Sequence, residues 1–124
     1  MSEPKRRGAR GAVGAYGERV AAAHLVEAGM VVLARNWRCR EGEIDIVAQD
    51  GGTLVFCEVK TRRGHRCGTP AEAVTAGKAE RLRVLALSWL RDSGVHGDDL
   101  RFDVISVRPQ VRGRARVEHL RGAF

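Results

Sequence analysis

Gly42-Glu43-Ile44-Asp45-Ile46-Val47-Ala48-Gln49-Asp50-Gly51-Gly52-Thr53-Leu54-Val55-Phe56-Cys57-Glu58-Val59-Lys60-Thr61-Arg62 is the stretch around which the chain is organised. Asp50-Gly51-Gly52 between two runs rich in Val, Ile and Phe predicts a hairpin, because Gly and Asp tolerate the positive φ values of tight strand connections. Three charges interrupt the apolar runs: Asp45, Glu58 and Lys60. Inside a strand, a charge costs several kcal/mol unless it is paired, hydrated or bound to a metal. Leu54, Phe56, Glu58 and Lys60 share one face of the second strand, and Val55, Cys57 and Val59 the other. A loop of two or four residues brings Asp45 onto the face of Glu58 and Lys60, and that is the expected arrangement.

Working outward, 124 residues suffice for one domain that buries roughly two-thirds of its unfolded surface. Residues 1–12 read as a flexible basic arm, with Lys5, Arg6, Arg7 and Arg10, and residues 13–124 as one domain. The net charge of +7 favours an acidic partner, nucleic acid ahead of a membrane, since no spanning or long amphipathic apolar segment is present. Only Lys5, Lys60 and Lys78 are lysines among 22 basic residues, which reads either as a genomic bias toward Arg or as a sign that Lys60 and Lys78 are wanted as point charges rather than planar forks. Cys39, Cys57 and Cys67 are odd in number without zinc or redox spacing, and the first ten residues hold no apolar signal segment, so the cytoplasm is the expected compartment.

Val13 to Ala28 predicts an Ala-rich helix stopped by Gly29, with Glu18 in line with Ala21, Ala22 and Leu25 and thus facing the fold. Glu18 either pairs there with an Arg or serves a site. The glycines at 8, 11, 14 and 17 lack the Gly-Lys-Ser/Thr of a phosphate loop. Met30 to Trp37 reads as a strand. After Lys60, the loop Thr61 to Gly68 carries Arg62, Arg63 and Arg66, placed by chain continuity beside the charged strand as phosphate contacts or as a solvated loop. Thr69-Pro70-Ala71-Glu72 predicts a capped helix start, followed by a stripe of Val74, Leu82, Leu85 and Trp89 to about Arg91, with Ser93-Gly94 as its stop. Lys78 falls in that stripe and either snorkels at the edge or reaches the acidic residues. Leu100 to Val107 reads as a strand in which Asp103 pairs with Arg101 or Arg81, and Arg116 to Leu120 as a short edge strand.

An Asp and a Glu on adjacent strands offer hard oxygen ligands suited to Mg²⁺ or Mn²⁺, a backbone carbonyl completing the set. Lys60 would orient the attacking water or stabilise charge on a phosphoryl oxygen. The four histidines lack metal-ligand spacing, a nucleophile elbow and a dinucleotide fingerprint are absent, and the few aromatics argue against a sugar cleft or a stacking platform.

Glu18, Gly42 to Ala48, Glu58-Val59-Lys60-Thr61-Arg62, Pro70 to Val74 with Lys78 and Arg81, and Arg101 to Val104 together resemble the YraN family over Gly14 to Val107. That family resembles PD-(D/E)XK nucleases of the archaeal Holliday junction resolvase type. The resemblance implies an α/β, restriction-endonuclease-like three-layer fold, with a mixed central sheet flanked by helices. It implies Asp45 and Glu58 as metal ligands with the Val59 carbonyl, Lys60 as the catalytic lysine, Glu18 as a helper carboxylate and Lys78 as an auxiliary residue. Arg62, Arg63, Arg66 and Arg81 are the expected nucleic-acid contacts. Ile44 stands where the superfamily name has Pro. By analogy the substrate is duplex or branched DNA and the protein a homodimer. The alternatives are a non-catalytic nucleic-acid-binding module on the same fold, and an interaction protein whose acidic cluster is an ion-pair network.

Overall fold

The computed structural model describes residues 5–62, 72 and 75–124. Its elements are α1 (Lys5–Glu27), β1 (Val31–Cys39), β2 (Gly42–Asp50), β3 (Thr53–Thr61), α2 (Ala76–Ser93), β4 (Asp99–Arg108) and β5 (Arg116–Leu120). The strands form one sheet in chain order, β1-β2-β3-β4-β5. Every neighbouring pair is antiparallel except β3 and β4, which run parallel. Parallel neighbours cannot be joined by a tight turn, so the connection crosses over the sheet, and α2 lies in that crossover. The result is an α/β fold with a mixed sheet.

Alternation along β3 sorts the core into two layers. Val55 and Cys57 pack with Ala21 and Leu25 of α1 and with Ile46, Ala48, Ile105 and Val107. Leu54 and Phe56 pack with Leu85, Ala86 and Trp89 of α2 and with Val47. The two helices therefore cover opposite faces. Phe56 sits at the centre of the second layer, stacked on Phe102 at 5.7 Å and edge-on to Trp89 at 5.9 Å, and burying a side chain of this size contributes about 1.5–3 kcal/mol.

The hairpin has the expected two-residue turn: Asp50 pairs with Thr53, leaving Gly51-Gly52 between them, with Gly51 at φ 63°, a region glycine enters without a Cβ clash. Helix α1 begins earlier than the predicted Val13. It is helical from Lys5, within the stretch read as a basic arm, and breaks at Gly11 (φ 80°, ψ −178°) before the segment that packs on the sheet. Helix α2 begins later than predicted. The expected cap at Thr69 lies outside the described residues, whereas α2 is capped by Thr75, whose Oγ1 accepts from the Lys78 N–H at 3.1 Å. Thr75 is extended (φ −130°, ψ 158°), so its backbone does not continue any preceding helix. At the other end Gly94 (φ 74°) closes α2 by donating to Leu90 O.

Asp103 is fully buried and its charge is fully answered. Arg101 donates to both of its oxygens at 3.0 Å, His119 Nε2 lies 2.8 Å from Oδ2, and the Gly122 N–H donates to Oδ1 at 3.0 Å. Arg101 also reaches Asp50 beside the hairpin turn, and His119 Nδ1 meets His24 Nε2 of α1 at 3.0 Å. This network ties turn, β4, β5 and α1 together, and it bears out the Arg101 pairing expected for Asp103. Burial and the neighbouring His119 hold His24 below the usual histidine range. Burial alone would push Asp103 up, but its hydrogen bonds to His119, Arg101 and Gly122 outweigh that and bring it to about 2. The unfolded chain takes up this proton near 3.8 while the folded chain resists it down to about 2. Stability from this carboxylate, roughly 2 kcal/mol, is therefore present above the unfolded value and lost as pH falls between those two values. Thermal unfolding across that range should show the loss in the wild type, with the Asp103 share of the slope missing in Asp103→Asn, itself destabilised at neutral pH.

Candidate functional site

The β2–β3 ladder runs from Asp50↔Thr53 to Ile46↔Cys57 and ends there, although β2 continues to Gly42 against β1 and β3 continues to Thr61 against β4. The two strands fork at Asp45 and Glu58. Beyond the fork the β3 backbone has a donor facing β2 with no ladder partner, and Asp45 Oδ2 accepts it, from the Val59 N–H at 2.8 Å. A side chain thus replaces a backbone rung, in keeping with the demand that buried backbone groups be bonded.

The fork changes the expected one-face arrangement. The turn has the parity that sets Asp45 opposite Glu58, but Asp45 groups with Glu18 of α1 and with Glu43, one oxygen of each lying within 4.8 Å of the others. Ile44, two residues from Ile46, packs with the α2 layer while Ile46 packs with the α1 layer, so strand alternation is broken at Asp45. Glu58 is outside that triad and faces α2. Its Oε2 takes two ammonium groups, Lys60 Nζ at 3.3 Å and Lys78 Nζ at 3.1 Å. Of the two readings for Lys78, the structure selects the reach to the acidic residues.

Glycine at position 17 sets the depth of Glu18. A Cβ there would run into the Thr61 side chain of β3, so only glycine lets α1 press this close to the strand and deliver its next residue, the buried Glu18, to the fork. Glu43 was not singled out in the sequence, although it lies two residues before Asp45 on the same strand, the i, i+2 spacing that identified Lys60 beside Glu58. It also bridges Arg38 of β1 at 3.4 Å.

The cleft at the fork measures about 480 Å³ and is lined by Glu18, Glu43, Asp45, Glu58, Lys60, Lys78 and Arg81, among others. Carboxylates gather on the α1 and β2 side, and cations on the β3 and α2 side. Burial first, and the Lys78 ammonium after it, hold Lys60 below the ordinary lysine range against the pull of Glu58. Cys57 also lines the cleft, but burial pushes its thiol far up, so it presents no thiolate. The donor set is then carboxylate oxygen, which suits Mg²⁺, Mn²⁺ or Ca²⁺ rather than a soft metal. Arg62 continues the β3–β4 pairing through its N–H to Val107 O and does not line the cleft, whereas Arg81 does. Arg63 and Arg66 lie outside the described residues.

Residues 17–107 match the family described as Uncharacterised protein family UPF0102. The chain belongs to this family. It is the family that the YraN resemblance pointed to, and the matched span runs from Gly17 past every cleft carboxylate and lysine to Val107 at the end of the β3–β4 pairing. A UPF0102 protein of Frankia casuarinae is 55% identical over 94% of this chain and 98% of its own length. One from Rhodococcus jostii is 53% identical over 91% of this chain and 96% of its own. Among solved structures, that of Pyrococcus furiosus SfsA in complex with Ca²⁺ is similar at a TM-score of 0.34 and 13% identity, covering 86% of this UPF0102 chain and 62% of the SfsA chain.

The contact of Gly17 with Thr61 yields a test. Gly17→Ala gains about 1 kcal/mol of helix propensity but incurs an overpacking cost of about 1–3 kcal/mol. The expected outcome is a lower melting temperature together with weaker divalent-cation binding by titration calorimetry, since α1 must lift and carry Glu18 with it. Unchanged cation binding would show that Glu18 is not set by this contact.

Proposed function

We propose that this chain is a Mg²⁺- or Mn²⁺-dependent endonuclease that hydrolyses DNA phosphodiester bonds, with branched or structured DNA as its substrate class, acting in the cytoplasm as a homodimer. One observation carries the reading: at a single strand fork the carboxylates of Glu18, Glu43 and Asp45 converge, and directly beside them Glu58 holds Lys60. The Asp103 network is enclosed by the fold, with its carboxylate fully buried. The one at the fork lines an open cleft.

Glu18, Glu43 and Asp45 would hold the cation, with Glu58 the fourth carboxylate available in the cleft. A bound hard cation withdraws charge from a phosphodiester and makes water a better nucleophile. The protein's own groups supply the rest. Lys60, fixed by Glu58, places a positive charge where negative charge grows on the phosphoryl oxygens, or orients the attacking water. The Val59 N–H holds the Asp45 carboxylate in place by occupying Oδ2. Lys78 and Arg81 line the same cleft and meet neighbouring phosphates, while the net charge of +7 draws the polyanion in.

Purified protein with linear, flapped and four-way DNA should cleave at least one of these in Mn²⁺ and none in excess chelator. Asp45→Ala and Lys60→Ala should each lower the rate by about 10²–10³-fold, and Glu43→Gln should raise the Mn²⁺ concentration needed for half-maximal cleavage. Cleavage that survives both alanine substitutions overturns the mechanism. Binding with steep salt dependence and no cleavage of any substrate would instead favour a nucleic-acid-binding module on this fold.

A further inference from the structure

Two of the chain's three lysines converge on one oxygen atom. Lys60 Nζ and Lys78 Nζ lie 3.3 and 3.1 Å from the same Oε2 of Glu58. One carboxylate charge cannot balance two ammonium groups, so the α2 side carries surplus positive charge in the same cleft as the carboxylate triad. Lys78 is well fixed at its base, since it sits in the first turn of α2 with its N–H on the Thr75 cap. Its side chain is about a quarter exposed and opens onto the cleft, with Arg81 one turn further along the same wall. An anion entering the cleft therefore meets Lys78 while that ammonium is committed to Glu58.

We propose that Lys78 is a substrate-operated clamp on Glu58. Without nucleic acid, Lys78 and Lys60 together hold Glu58 on the α2 side, apart from Glu18, Glu43 and Asp45. A backbone phosphate competes for Lys78, leaves Glu58 with Lys60 alone, and so makes the Glu58 carboxylate available to a cation at the triad. The inference rests on the cation-dependent reading above and adds a consequence to it: cation and nucleic acid bind with positive coupling, and by linkage each strengthens the other by the same factor. The ion is then held fully only when a phosphodiester is in place.

The test is titration calorimetry of Ca²⁺, as a hard-cation probe, into wild type, Lys78→Met, Lys78→Gln and Asp45→Ala. Each is titrated alone and saturated with a short DNA duplex, against a duplex-only blank, with melting temperatures as the folding control. The wild type should bind Ca²⁺ about fivefold or more tightly with duplex present. The two Lys78 variants should bind Ca²⁺ more tightly than wild type without duplex and show a coupling factor near one. A wild-type factor near one, or an undiminished factor in folded Lys78 variants, overturns the clamp. If Asp45→Ala still abolishes Ca²⁺ binding in that case, the cation site stands without it. If no form binds Ca²⁺ with or without duplex, the cation-dependent reading fails and the clamp falls with it.

Discussion

Everything at the candidate site depends on the parting of β2 and β3 after the Ile46↔Cys57 pair. A sheet that forks must satisfy the backbone groups it uncouples, because a buried N–H without an acceptor costs about as much as a lost hydrogen bond. Asp45 meets that demand for Val59, and the hydrogen bond fixes its half-buried carboxylate at the fork. The gap left by the fork is the cleft. Each helix then supplies what the gap lacks: α1 approaches close enough at Gly17 to insert Glu18, and α2 reaches in with Lys78 from the opposite layer.

The fold holds two groups of buried or half-buried acids, and their physics differs. Asp103 is enclosed by a bidentate Arg101, His119 and the Gly122 N–H, so that its low pKa expresses complete pairing and joins four elements. Such a system is worth its desolvation cost only because every oxygen is answered. At the fork the carboxylates crowd one another instead, with Arg38 on Glu43 and the two lysines on Glu58 as the counter-charges on its flanks. Carboxylates gathered this closely present a set of hard oxygen donors on one side of the cleft. The first network joins the hairpin turn, β4, β5 and α1, and the second lines the cleft.

Membership of UPF0102 fits this picture without supplying the chemistry. Within the described residues no helix is long and apolar enough to cross a membrane, and α1 and α2 each pack against an apolar layer on one face of the sheet. Among the described residues, the acidic cluster and the cleft both lie at the fork.

By itself the sequence determined the hairpin with its two-glycine turn, the five strands and the packed helix segments that alternate or repeat regularly, the inward face of Glu18, and the pairing of Asp103 with an arginine, which the structure shows to be Arg101 rather than Arg81. These are local matters, set by side-chain alternation, helical spacing and turn chemistry. It also marked Asp45, Glu58 and Lys60, since a charge in an apolar run announces itself. Tertiary structure alone decided that the parity of the hairpin breaks at Asp45, that Glu43 joins Glu18 and Asp45, that Lys78 reaches Glu58, and that the packed part of α2 starts from Thr75. The physical reason is the same in each case. Alternation predicts faces only while neighbouring strands remain paired, and the parting of β2 from β3, with α1 and α2 packed on opposite layers, brings together residues far apart in the sequence that no single stretch joins.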